Sequence, residues 1–130
     1  MPTYTTDTHS LLWAFTRLRK LGEDARRVFE EIANGESSLL VPVIVLAELI
    51  FTIENKPIKA ELDKILAAIQ NSPNVEFVDF DYASALRLRD LSAVPEMHDR
   101  IIVAMAIEYQ ATIITIDETI TTSGLVKTIW

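Results

Sequence analysis

The chain has 130 residues, 49% hydrophobic and 24% charged, a composition that excludes disorder and suffices for one ordinary core. Twelve basic against nineteen acidic residues give a net charge of −7, the wrong sign for broad, non-specific binding of nucleic acid. No cysteine is present, which removes disulfides, thiolate catalysis and zinc–thiolate sites.

The opening Met-Pro-Thr-Tyr-Thr-Thr-Asp lacks the basic region and apolar run of a signal peptide. Tyr4–Thr6 reads as a short strand and Thr8–Leu18 as a helix. Gly22–Asn34 reads as a second helix, amphipathic through Ala25, Val28, Phe29 and Ile32 and stopped at Asn34-Gly35. Arg17, Arg19, Lys20, Arg26 and Arg27 cluster here and offer local basic groups to a polyanion, but read better as the solvated face of these two helices. Ser38–Val41 is a buried strand, and Pro42 suits the first turn of a helix. Val43–Ile53 has β-branched residues that suit a strand but the length of a buried helix; because a strand ends just before Pro42, helix is expected.

Ile58–Asn71 is an amphipathic helix ended by Ser72-Pro73-Asn74. Val75–Phe80 alternates apolar and acidic residues as a strand, followed by a helix over Tyr82–Leu91. Asp99–Tyr109 is the next helix, Thr112–Ile116 the next strand and Leu125–Trp130 the last. The most apolar segment, Leu39–Ile53, is broken by Pro42 and Glu48 and falls short of the ~20 residues that span a bilayer. A soluble, cytoplasmic protein is expected. Strands alternating with helices predict an α/β sandwich, a parallel sheet covered on both faces, over one domain of residues 1–130.

Four acids decide what this fold is for. Asp7 and Asp117 each follow a predicted strand, and Asp99 stands at a helix start. Taken singly, each has a structural use as a helix cap, which aspartate favours because its oxygen accepts an orphan N–H. Glu48 has no such use. Its neighbours in Val43-Ile-Val-Leu-Ala-Glu-Leu-Ile-Phe51 are nearly all apolar, and an unpaired buried carboxylate costs several kcal/mol or changes its pKa. It therefore lies on a narrow polar stripe with Thr52 or points into a cleft with a cation, and the cleft reading is ahead. Open α/β sheets bind ligands at the carboxyl ends of their strands, where Asp7 and Asp117 stand. Four carboxylates converging there call for a divalent cation, and oxygen ligands suit magnesium or manganese.

The blocks Thr6-Asp-Thr-His-Ser-Leu-Leu-Trp13, Leu46-Ala-Glu-Leu49, Met97-His-Asp-Arg-Ile-Ile-Val-Ala104 and Ile114-Thr-Ile-Asp117 resemble, in order and spacing, the four motif regions of the PIN-domain ribonucleases. The match is nearest to the toxin component of VapBC-type toxin–antitoxin pairs. The resemblance implies a three-layer sandwich with about five parallel strands. It implies that Asp7, Glu48, Asp99 and Asp117 are catalytic metal ligands for Mg2+ or Mn2+, with Thr6 or Thr8 and Thr115 as supporting hydroxyls. It further implies cleavage of RNA by metal-activated water, a cognate antitoxin and a homodimer. Where some members carry a further acid two residues on, Thr119 stands beside Glu118, which leaves a complete second metal site unsupported.

Arg100 either contacts the substrate phosphate or forms a surface ion pair. His98 suits orientation or helix-start packing better than general-base work, because metal chemistry needs no such base. His9 reads as structural, and Trp13 and Trp130 as core. Two other classes compete. A receiver- or phosphatase-like domain needs acids beside Asp7, but none adjoins it and His9 stands where the phosphatase pattern needs one. A non-catalytic partner-binding domain gives no reason for Glu48.

Overall fold

A computed structural model describes residues 1–56 and 61–130 of the chain. Strand β1 (Thr3–Thr6) lies at the centre of the sheet. It is flanked by β2 (Ser38–Pro42) and β3 (Val75–Val78) on one side, and by β4 (Thr112–Ile114) and β5 (Thr128–Ile129) on the other. Every pairing is parallel, with Tyr4 opposite Leu39 and Thr112. The sandwich expected from the sequence is the fold found.

Parallel neighbours need crossovers, and the helices supply them. Helices α1 (Thr8–Thr16) and α2 (Glu23–Ala33) link β1 to β2, and α3 (Val43–Glu54) and α4 (Leu62–Gln70) link β2 to β3. From β3 the chain returns through α5 (Tyr82–Arg87) and α6 (Met97–Tyr109) to β4, then through α7 (Glu118–Thr122) to β5. The chain moves outward through β2 and β3, then back past β1 to β4 and β5. Right-handed crossovers therefore place α1–α4 on one face and α5–α7 on the other. The larger core includes Leu11, Val28, Val41, Leu49, Ile69 and Ile113; a smaller one gathers Val78, Ile101 and Met105 under Ile44, Phe80 and Leu88.

Several boundaries differ from the sequence reading. Helix α6 starts at Met97 rather than Asp99, because Glu96 takes the cap: its Oε2 accepts the Asp99 N–H at 2.7 Å. Pro42 ends β2 and caps α3 instead of opening its first turn. Strand β3 stops at Val78 and β4 at Ile114, although the Thr115 N–H still bonds Ile129 O at 3.1 Å. The last strand is only Thr128–Ile129, and α5 gives way to a 3-10 turn at Leu88–Asp90. The expected helix start at Ile58 lies outside the described residues. Asn34-Gly35 does stop α2: Gly35 takes φ 82°, a backbone conformation that suits glycine.

Candidate metal centre

The strand order reverses between β1 and β4, and the chain leaves both strands toward the same edge. That is the topological switch point where open α/β sheets bind ligands. Asp7 follows β1 there, and Asp117 closes the short loop after β4.

Asp7 caps α1, its Oδ1 accepting the Ser10 N–H at 2.9 Å. Its Oδ2 accepts the Thr115 hydroxyl. The same Thr115 oxygen accepts the Asp117 N–H at 3.0 Å, so one buried hydroxyl ties the ends of β1 and β4 together. Asp117 caps α7 through Ile120 N–H at 2.9 Å. Two of the four acids are thus helix caps, as their positions allowed. Capping does not exhaust them, since a carboxylate offers about four acceptor sites.

Glu48 sits mid-helix on α3 and is half-buried. Its Oε1 accepts the Thr8 hydroxyl at 3.0 Å, and its Oε2 lies 4.0 Å from His98 Nδ1. Thr8 is the residue after Asp7 and His98 the one before Asp99, so these contacts carry Glu48 to both. Of the supporting hydroxyls expected, Thr8 and Thr115 touch carboxylates, whereas Thr6 donates only to the Asp7 carbonyl at 3.0 Å.

Asp99 is not the cap of its helix. With Glu96 in that role, the Asp99 side chain stands free in the first turn of α6. Burial pushes its carboxyl up to about 6, helped by the negative charges of Asp117, Glu96, Asp7 and Glu48. Desolvation disfavours the anion and like charges disfavour it further. All four expected acids therefore belong to one electrostatic set. Among the described residues, however, no three acidic or imidazole groups stand close enough to cage an ion as they are. Asp7, Glu48 and Asp117 each have a carboxylate oxygen engaged by a hydrogen bond, from Ser10 and Thr115, from Thr8, and from Ile120.

Glu96 was missed in the sequence reading, as aspartate is the commoner cap. Its Oε1 holds His98 Nδ1 at 2.7 Å. That bond, with the charges of Glu48, Glu96 and Asp99, raises the His98 pKa against the opposing effect of burial. Burial opposes ionisation of Glu96, but the Asp99 N–H and His98 outweigh it and hold its pKa below the usual value. Arg100 is spent otherwise than expected. Its Nε donates to Val94 O at 2.6 Å and its Nη1 to Leu88 O at 3.4 Å, anchoring the loop before α6. Trp13 and Trp130 pack edge to face, 6.0 Å between centroids, against the larger core, as read from the sequence.

The donor set is all oxygen, with spare lone pairs on each carboxylate, which is the ligand chemistry of a hard divalent ion although not yet its geometry. A parallel α/β sandwich with coupled carboxylates at its switch point is the class that fold and site define. The model of the PIN domain family matches residues 4–122, and the chain belongs to that family. Proteins of this family are generally nucleases. Among curated proteins, none matches the chain.

Solved structures share the fold at low identity. VapBC2 from Rickettsia felis bound to a promoter DNA fragment matches with a TM-score of 0.77 and 18% identity, covering 98% of this chain and 97% of that one. DNA-bound VapBC from Salmonella typhimurium gives 0.72 and 17%, covering 99% and 98%. FitAcB from Neisseria gonorrhoeae gives 0.67 and 16%, covering 98% and 96%. Among the described residues no helix is long and apolar enough to cross a membrane.

Proposed function

We propose that the chain is a single PIN-like domain that cleaves RNA with a divalent cation, Mg2+ or Mn2+, and serves as the toxin of a toxin–antitoxin pair. The observation that carries this reading is the acid set at the switch point of the sheet. Thr115 links Asp7 to the Asp117 main chain, and burial with the charges of Asp117, Glu96, Asp7 and Glu48 raises the Asp99 carboxyl to about 6. Such a group is stabilised when a cation joins it. Asp7, Glu48, Asp99 and Asp117 would hold the ion, which supplies charge neutralisation at the phosphate and a water of lowered pKa.

The remaining work falls to this chain's own groups. Thr115 fixes Asp7 and the Asp117 main chain in mutual register, and Thr8 aims Glu48. Glu96 leaves the Asp99 carboxylate free by capping α6. Arg100 holds the loop ahead of that helix through two carbonyls. The VapBC and FitAB likeness supports a toxin role with an antitoxin as partner; a homodimer in the cytoplasm completes the reading.

Purified protein tests the reading. RNA should be cut with Mg2+ or Mn2+, left intact with EDTA, and left intact by Asp7→Asn and Asp99→Asn. Cleavage that persists in EDTA, or in both variants, removes the metal mechanism. A wild type that cuts DNA but no RNA removes the substrate assignment.

A further inference from the structure

Ser10, in the first turn of α1, is wholly buried, and its hydroxyl has no hydrogen-bond partner among the described residues. No other buried side-chain oxygen or nitrogen among those residues is left so. A polar group in that position has given up water and received nothing in return, which lowers stability. Alanine fills nearly the same space and favours the helix more. The hydroxyl therefore calls for a use. Its place in the helix explains why it is unpaired. A helical hydroxyl ordinarily bonds the carbonyl four residues back, as Thr16 does to Leu12 O at 2.6 Å and Thr121 to Asp117 O at 2.8 Å. Four residues before Ser10 stands Thr6, whose carbonyl belongs to β1 and not to the helix. The acceptor on offer is Asp7. Its Oδ1 already takes the Ser10 N–H at 2.9 Å, and a helical Cβ tilts toward the helix N-terminus, where Asp7 is the cap. The Ser10 hydroxyl turns about a single bond at that same end of α1.

We propose that Ser10 is a positioning residue for the cation site: its hydroxyl donates to the Asp7 carboxylate when an ion is bound and is unpaired when none is. The proposal rests on the metal reading above. Both Asp7 oxygens are engaged, Oδ1 by the Ser10 N–H and Oδ2 by the Thr115 hydroxyl. Among the described residues no three acidic or imidazole groups stand close enough to cage an ion. Asp7 must therefore shift to become a ligand, and its lone pairs are then shared out anew. A buried donor held in reserve at the helix cap keeps the shifted carboxylate oriented, which is what hydrogen-bond partners of metal ligands do. The ion-bound state gains a charge-assisted hydrogen bond and loses an unpaired hydroxyl. Ser10 thus favours that state over the free one, and so raises affinity for the cation.

The test compares the full chain as wild type, Ser10→Ala and Ser84→Ala, by thermal melts in EDTA and by calorimetric titration with Mn2+. Ser84 is the control, a buried hydroxyl that has a partner: it donates to Glu108 Oε2 at 3.1 Å. Ser10→Ala should melt at or above the wild-type Tm in EDTA, because no bond is lost there. It should nonetheless bind Mn2+ about tenfold or more weakly, the effect of one hydrogen bond to a charged group. Ser84→Ala should do the opposite, with a lower Tm and wild-type affinity for Mn2+. Wild-type affinity in Ser10→Ala overturns the proposal and leaves the metal reading standing. A lower Tm for Ser10→Ala in EDTA overturns it too, since the hydroxyl then has a partner, such as an ordered water, before any ion arrives. Equal affinity losses in both variants also overturn it, because general loosening accounts for them. Wild type that takes up no Mn2+ removes the metal reading first, and this proposal with it.

Discussion

Asp99 bears the electrostatic cost of the acid set. Its raised carboxyl binds a proton more tightly in the folded state than in the unfolded chain, whose carboxylates titrate near ~3.9. Between about 4 and 6 the native state thus holds more protons, and metal-free stability falls as pH rises through that window. Below it the contribution is present in full; above it, lost. Asp99→Asn removes the penalty, so without divalent ions its Tm should exceed that of wild type, and by more at pH 7.5 than at pH 5. Thermal melts in EDTA at the two pH values check this, and a marked loss of stability in the variant contradicts it. Thr115 is the other position where one atom does two jobs. Thr115→Val strands an acceptor on Asp7 and the Asp117 N–H, and should cost about 1–3 kcal/mol in urea denaturation. Thr115→Ser should recover most of it.

At the scale of elements, the first turn of α6 explains what the sequence could and could not show. Pro95-Glu-Met-His-Asp looked like a helix opening at Asp99, because aspartate is a favoured cap and glutamate is not. The longer Glu96 side chain reaches back to the Asp99 N–H instead and moves the boundary two residues earlier. That shift frees the Asp99 carboxylate. Glu96→Ala should therefore cost about 0.5–2 kcal/mol of stability. Asp81 is a suitable control, for it caps α5 through Ser84 N–H at 2.9 Å and is not among the charges acting on Asp99. Both alanine variants should lose stability, but only Glu96→Ala should also lose activity; equal activity losses contradict the assignment. Glu48 was legible because an acid among apolar neighbours demands a reason. The open face around it was not, since Phe51 reads as core until the helix is docked. Periodicity separates the Val45–Leu49–Ile53 stripe from the Ile44–Glu48–Phe51 side but does not say which neighbour covers the second. The strands were found and their ends were not; at β4, Thr115 lies past the strand yet keeps its N–H on Ile129 O while its hydroxyl serves Asp7 and Asp117, contacts that only the assembled sheet supplies.

For the whole molecule the net charge sets the terms of association. An acidic chain with a coupled acid set should attract a basic antitoxin segment, and exposed charge pairing of that kind weakens with salt. Inhibition by such a partner should fall between 50 and 500 mM NaCl, on the order of one to several Debye-screened contacts; inhibition that does not respond to salt removes the charge-pairing account. A homodimer should appear in light scattering at micromolar concentration, and a monomer throughout removes it. The central claim is that Asp7, Glu48, Asp99 and Asp117 hold one divalent cation together. Calorimetric titration of Mn2+ into metal-free wild type and the four single amide variants tests it most directly. The account predicts a stoichiometry of one in wild type and affinity at least about tenfold weaker in each variant, since every carboxylate lost removes a charged ligand. Wild-type affinity in any two of the variants, or no Mn2+ binding by wild type, contradicts it.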